Sequence, residues 1–360
     1  MDQVPTRKKN IFQKSFEWMD ERYKVQDLLD AALHVFIPKE SKTFYLGGIT
    51  MFLFGVQVVT GSLLTLYYQP TPDTAYDSVL FITSNVNFGW LIRSIHAWSA
   101  NLMVIFCILH LLRVFFQGAY KKPREVTWVV GVALLGLTMG FGFTGYLLPW
   151  DQRAYWATTV GSESAGAVPF LGTFLLSFMR GGMDVTDATL SRFYGVHTLL
   201  LPIGLVTFLG VHLLFMHQQG MANPRKPANL ESKDQDEKGE SIPFFPNYLM
   251  NEAVAWWIVL GFLVILASIF PVGLEEKANP LETPAHIKPE WYFLSLYQLL
   301  KLVPRVVGVL LPMVGIGFLV FLPFVDKNPE VVPQKRPIAV ITGVITILAI
   351  VALTIWGWLS

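Results

Sequence analysis

Four of the seven histidines in this 360-residue chain lie in two strongly apolar stretches, and they are spaced alike. His96 and His110 are 14 residues apart, His197 and His212 are 15 apart. On a helix, at about 100° and 1.5 Å per residue, the first pair is offset by roughly 40° and about 21 Å, the second by roughly 60° and about 22 Å. Each stretch would therefore carry two imidazoles on one stripe, one toward each end. An imidazole binds metal through a ring nitrogen, and two opposed imidazoles complete the axial coordination of iron in a flat macrocycle. A metal site built from side chains alone needs three or four ligands gathered together. These four are spread over two distant levels.

Such pairs work only if two parallel rods hold them at matching heights, and the composition supplies the rods. The chain is 53% hydrophobic and 15% charged, too few charges for the surface of a water-soluble domain of this size. Seven segments are long and apolar enough to cross a bilayer: Phe44–Tyr68, Leu91–Phe116, Val126–Leu148, Tyr194–Met216, Ala253–Phe270, Val306–Val325 and Ile338–Leu359. The histidine pairs sit on the second and fourth of these, which run in the same direction. His96 then lies level with His197, and His110 with His212. A single intramembrane histidine is most simply a hydrogen-bonded packing residue. Four in matched pairs are not, because polar groups at that depth are costly. The pattern points to two bis-histidine haems in a four-helix bundle.

Other residues share the period. Gly47 and Gly61 on the first span, and Gly131 and Gly145 on the third, are again 14 apart, and a helix approaches a flat plate closely only where a side chain is missing. Arg93 and Arg113 lie three residues before His96 and three after His110, near span ends, where long basic side chains can reach the interface and pair with haem propionates.

Orientation follows from Lys and Arg in the short loops. Arg7, Lys8, Lys9, Lys14, Arg22 and Lys24 precede the first span. Lys121, Lys122 and Arg124 follow the second, Arg225, Lys226, Lys233 and Lys238 the fourth, and Lys327, Lys335 and Arg336 the sixth. The loop after the first span carries Asp73 and Asp77 and no base. The N-terminus is thus expected inside, and the His96–His197 level near the outer face. No signal peptide is read in the polar, basic N-terminus. A net charge of +1 gives no reason to expect nucleic acid. The single cysteine, Cys107, excludes a disulfide framework and reads as an apolar filler.

Three stretches look organised without crossing. Ile11–Val35 carries apolar residues at helical spacing and reads as a helix lying on the inner surface. Asp151–Asp187 should be a folded outer loop. Asn223–Glu240 is rich in Pro, Asn and charge and reads as a linker. The expected organisation is an N-terminal amphipathic surface helix (1–40), a four-helix dihaem domain (41–222), a linker (223–243) and a three-span C-terminal domain (244–360). The fold class is all-α membrane, with seven spans.

At this point the residues resemble a known family over nearly the whole chain. Asn87-Phe-Gly-Trp-Leu-Ile-Arg-Ser-Ile-His96, Gly145-Tyr-Leu-Leu-Pro-Trp-Asp-Gln152 and Arg192-Phe-Tyr-Gly-Val-His197 are similar to the b6 type of the cytochrome b/b6 family, the quinol-oxidising membrane subunit of cytochrome bc complexes. The 15-residue interval is also of the b6 type. Phe244-Phe-Pro-Asn-Tyr through Ala255-Trp-Trp resembles the start of the small subunit found beside b6, here joined in one polypeptide. Pro289-Glu290-Trp291-Tyr292 matches the family's quinol-oxidation signature, whose glutamate takes a proton from quinol. Tyr155 matches an aromatic lining the same pocket. His217 occupies a position where bc1-type members carry a histidine near a second, inner quinone site. The b6 proteins hold a third haem through a cysteine where this chain has Tyr45, so a covalent haem by that route is not expected.

The resemblance implies a quinol:cytochrome c, or other acceptor, oxidoreductase subunit in the inner (plasma) membrane. It would oxidise quinol outside, pass electrons over two non-covalent b-type haems to a quinone site inside, and translocate protons. Implied partners are a Rieske iron–sulfur protein, a c-type cytochrome or equivalent acceptor, membrane lipid and a second copy of the chain. The alternative is the dihaem cytochrome b anchor of another respiratory oxidoreductase, which would lack Pro289–Tyr292.

Overall fold

The computed structural model describes residues 10–27, 30, 35–39, 44–223, 241–285 and 287–360. Seven helical segments in it are long and apolar enough to span a membrane, as expected. They are α2 (Leu46–Thr65), α4 (Gly89–Phe116), α5 (Glu125–Leu147), the composite Asp187–Gln219, Phe244–Ile269, α12 (Arg305–Val325) and α13 (Pro337–Leu359). Their outward faces are apolar and uncovered by protein. On α13 the side chains of Ile341, Ile345, Leu348, Ile355 and Trp358 are all more than half exposed. An apolar surface of this extent is stable only against lipid, and the protein is a multi-pass membrane protein.

The fourth span is not one uniform helix. It consists of α8 (Asp187–Gly195), a π-helical turn at Val196–Leu200 and α9 (Leu201–Gln219). A π turn takes up one residue more than an α turn. It therefore absorbs the extra residue in the interval from His197 to His212. The roughly 60° offset expected for a uniform helix is reduced, and both imidazoles face the bundle.

Short elements that hydropathy does not reveal fill the connections. The loop after α2 carries α3 (Ala75–Ser84). Asp151–Asp187 folds as expected, into α6 (Gln152–Gly166) packed on α7 (Gly172–Arg180). The chain after α10 (Leu249–Ile269) leads through a 3-10 turn at Trp291–Phe293 into α11 (Leu294–Leu302). At the opposite end of the bundle, β1 (Phe36–Pro38) pairs antiparallel with β2 (Ser241–Pro243), tying the approach to the first span to the start of the fifth.

The expected N-terminal helix is interrupted: α1 covers Ile11–Tyr23, and helix is described again at Val25–Asp27 and Asp30. Asn10 Oδ1 accepts from Gln13 N at 2.8 Å and Gln13 Oε1 accepts from Asn10 N at 3.0 Å, a reciprocal cap that sets its start. Lys24, in the left-handed region at φ 51°, ends it. Ile11, Phe12 and Tyr23 remain exposed. Much of the remaining expected stretch, and most of the expected linker, lies outside the described residues.

The two halves share one interior. Ile49 and Leu53 of α2, Leu102 and Met103 of α4, Leu205 of α9 and Leu263 of α10 form a single buried cluster. The two parts form one packed body.

Candidate functional site

The four histidines form two levels inside the bundle made by α2, α4, α5 and the fourth span. At one level the ring centroids of His96 and His197 are 6.5 Å apart. After the ring radii are subtracted, that leaves the span of two metal–nitrogen bonds of about 2 Å each. At the other level His110 lies near His212.

Each of the four expected glycines fronts one of these rings. A Cβ added at Gly61 would lie 3.2 Å from His96 Cε1, at Gly145 2.6 Å from His197 Cε1, at Gly47 3.3 Å from His110 Cε1, and at Gly131 3.5 Å from His212 Cε1. The glycines thus make room first for the imidazoles. The expectation of a close approach is met, one step removed from the plate itself.

Hydrogen bonding fixes the tautomer at the first level. Thr60 Oγ1 donates its only proton to the Val56 carbonyl at 2.7 Å and lies 2.9 Å from His96 Nδ1. Thr144 Oγ1 donates to the Gly140 carbonyl at 2.8 Å and lies 3.0 Å from His197 Nδ1. Each hydroxyl oxygen can therefore only accept from the ring, so Nδ1 carries the proton and Nε2 keeps a lone pair. Metal-binding histidines are oriented by this kind of partner. At the second level Nδ1 of His110 and of His212 is buried without a hydrogen bond. The Thr127 carbonyl lies beside His212 without closing one. Among the described residues no three His, Cys, Asp or Glu side chains gather to hold a bare metal ion. Two facing imidazoles with prepared Nε2 lone pairs and a cleared approach fit an iron macrocycle.

Arg93 does more than anchor the helix at the interface. Arg93 donates from Nη1 to the Val272 carbonyl at 2.6 Å and from Nη2 to the Gly273 carbonyl at 2.9 Å. Together with Trp98 Nε1, which donates to the Phe270 carbonyl at 2.8 Å, it fastens the end of α10 to α4. Arg113 lies in the last turn of α4.

The Pro289–Tyr292 segment is brought to the first level. Glu290 precedes the 3-10 turn, and its carbonyl accepts from Phe293 N at 2.9 Å. Trp291 Nε1 donates to Asn101 Oδ1 on α4 at 2.7 Å. The Tyr292 hydroxyl rests against α5 at Gly142, where a Cβ would meet it at 2.9 Å, one turn before Gly145. Burial, and then the Glu290 charge beside it, pushes the Tyr292 phenol well above its ordinary pKa, so it stays a donor.

The opposite wall is stitched on by backbone. Gln152 N donates to the Glu276 carbonyl at 2.9 Å, Ala278 N to the Trp150 carbonyl at 3.2 Å, and Asp151 caps α6 through Ala154 N at 2.9 Å. This brings Arg153, which the sequence did not single out, between two carboxylates. Tyr155, two residues further along α6, lies edge-on to Trp150 and Trp156. At the second level His217 is exposed on the last turn of α9. Glu252, also not singled out, is 7% exposed and fills the space in front of Gly48, next to the glycine that fronts His110.

Comparison with known proteins agrees with this geometry. Residues 33–220 match the family model for cytochrome b/b6/petB, and residues 277–360 match that for cytochrome b(C-terminal)/b6/petD. The chain is 42% identical over 340 residues to a cytochrome bc complex cytochrome b subunit of Chlorobaculum thiosulfatiphilum, covering 92% of this chain and 77% of the relative. It is 47% identical over 212 residues to cytochrome b6 of Synechococcus elongatus, covering 59% of this chain and 99% of that protein. A chain of a solved hyperthermophilic respiratory Complex III superposes with a TM-score of 0.84 at 32% identity, covering 95% of this chain and 90% of that one. The protein belongs to the cytochrome b/b6 family.

Proposed function

We propose that this chain is the electron-transferring membrane subunit of a quinol-oxidising bc complex, with two b-type haems held non-covalently on His96–His197 and His110–His212. The observation that carries the reading is the His96–His197 pair: rings 6.5 Å apart, each tied through Nδ1 to a threonine on its far side and each fronted by glycine. When bound, haem supplies the one-electron chemistry by which electrons cross the membrane. The protein's own part is to orient the ligands, exclude water and handle protons.

The basic loop residues support placing the His110–His212 level inside. Part of that charge also has a structural role, because Lys121, Arg124 and Arg336 are buried. Pro289–Tyr292 then opens to the outer side. Quinol would enter between this segment and α6. The Glu290 carboxylate would take a hydroxyl proton and Tyr292 would orient the substrate. On the inner side Glu252 and His217 would serve a quinone-reducing site, where a buried carboxyl can deliver protons. Arg93 and Arg113, three residues from His96 and His110, would be the groups to pair with haem propionates. Partners of this reading are a Rieske iron–sulfur protein, a c-type cytochrome or equivalent acceptor and a second copy of the chain, in the plasma membrane. The four-helix part and the three-span part act as a fused b6 and small subunit, joined through the linker.

The test is haem content. A purified complex containing this chain should yield two non-covalent b haems per chain by pyridine haemochrome assay. A chain free of porphyrin after purification from haem-replete cells would overturn the reading.

A further inference from the structure

Among the described residues, Arg153 is the one guanidinium placed between the Glu290 carboxylate and another carboxylate closer to solvent. Its Nη2 is 3.7 Å from Glu290 Oε1 and its Nε is 3.3 Å from Glu275 Oε1. The Glu290 side chain is 25% exposed and that of Glu275 49%. The guanidinium also lies over the Tyr146 ring, 5.5 Å from its centroid. These links are loose. Nε is buried and within ion-pair reach of Glu275, yet its geometry closes no hydrogen bond. A charge held by attraction, with no fixed bonds, can be shared between two acceptors. Among the described residues, the other charged or titratable groups facing this cluster are Asp151 at the start of α6, Tyr146 on α5 and Tyr292 beside Glu290. Asp151 is occupied as the α6 cap and as an acceptor for Glu275 N at 3.4 Å.

We infer that Arg153 positions Glu290 as the base at the pocket mouth and links it to Glu275, the next proton acceptor on the way to the outer water. The inference rests on the proposed quinol oxidation and adds a residue and a direction to it. The proton leaves the quinol hydroxyl for the Glu290 carboxylate. It then passes to the Glu275 carboxylate, directly or through water, and from there to bulk solvent, so both carboxylates are ionised again for the next turnover. Arg153 keeps its own protons throughout, since a guanidinium does not titrate in this range. The cation favours the ionised form of whichever carboxylate it is nearer. Partial burial pushes the Glu275 carboxyl upward, against the opposing pull of Arg153. That suits it to accept a proton.

The experiment is the rate–pH profile of quinol oxidation in membranes holding the whole complex. The donor is a short-chain benzoquinol or naphthoquinol, whichever the wild-type membranes oxidise. Removing the cation in Arg153→Gln should move the acid-side limb of kcat/KM up by about one pH unit, because the base then ionises only at higher pH. Arg153→Lys should return the limb most of the way. Glu275→Gln should move it the other way, since the cation is then left to Glu290 alone, and should lower kcat more than it raises KM. A packing defect would not move the limb in opposite directions in the two variants. Unmoved limbs in both, or shifts of the same sign, overturn the inference. Glu290→Gln separates the two levels of argument. If it leaves the rate unchanged, both the quinol reading and this inference fall. If it slows oxidation while the Arg153 and Glu275 variants keep the wild-type limb, only this inference falls.

Discussion

Gly145 stands directly before the His197 ring: a Cβ at that position would sit 2.6 Å from Cε1, closer than packed atoms tolerate, whereas the same atom at Gly131 would meet His212 Cε1 at 3.5 Å, an ordinary contact. The four glycines repeat with one period but are not equally tight. Gly145→Ala should displace His197 and abolish or perturb the haem of that level. Gly131→Ala should leave both haems in place. The measurement is the reduced-minus-oxidised spectrum of each variant in membranes. Equal damage from both would contradict the geometry.

Among the described residues, only the His96–His197 level has hydroxyl partners. On the proposed reading, Thr60 and Thr144, by accepting a hydrogen bond from Nδ1, would make these imidazoles more basic ligands, which would favour oxidised iron. Thr60→Val or Thr144→Val should raise the midpoint potential of that haem by about 40 mV, the one-electron equivalent of a hydrogen bond of ~1 kcal/mol, and leave the other haem unchanged. A redox titration followed optically checks this.

Glu290 is the base of the proposed outer reaction. Glu290→Gln should slow quinol oxidation at least tenfold, in the range of a lost general base, with both haem spectra intact. Normal turnover in this variant would remove Glu290 from the proton role.

At the other end, Asp326 gathers Tyr120, Lys121 (3.0 Å) and Arg336 (3.3 Å), and the Arg336 side chain is 1% exposed. Burial works against the Asp326 carboxylate, but the Tyr120 and Lys121 hydrogen bonds outweigh it, and its pKa is held below the ordinary range. A depressed folded-state pKa means the stabilisation is full above the ordinary carboxyl range and is lost as pH falls through the lower, folded value. Asp326→Asn leaves a buried guanidinium without its counter-ion and should cost about 3 kcal/mol. It should also remove this residue's share of the acid sensitivity. Thermal resistance of the solubilised complex against pH measures both.

Much of this was legible in the sequence, for physical reasons. Spans show because twenty apolar residues in a row have few other uses, and the histidine and glycine periods show because a helix converts spacing into facing. The π turn at Val196–Leu200 did not show: a 15-residue interval hints at an extra residue without saying where it is absorbed. Arg153 could not be found, because its partners Glu275 and Glu290 lie more than a hundred residues away and contacts at that range leave no local pattern. The threonines do leave a signal in the sequence. Thr60-Gly61 and Thr144-Gly145 repeat as dipeptides at one level, whereas Gly47 follows Leu46 and Gly131 follows Val130. The pairing of β1 with β2 joins segments some two hundred residues apart and has no signature in either.

The central claim is that two imidazole pairs at two depths each hold one haem. It is tested most directly by an optical redox titration of membranes carrying His96→Ala or His212→Ala beside the wild type. The wild type should show two b-type components, and each variant should lose a different one while keeping the other. A single component in the wild type, or loss of the same component from both variants, would contradict it.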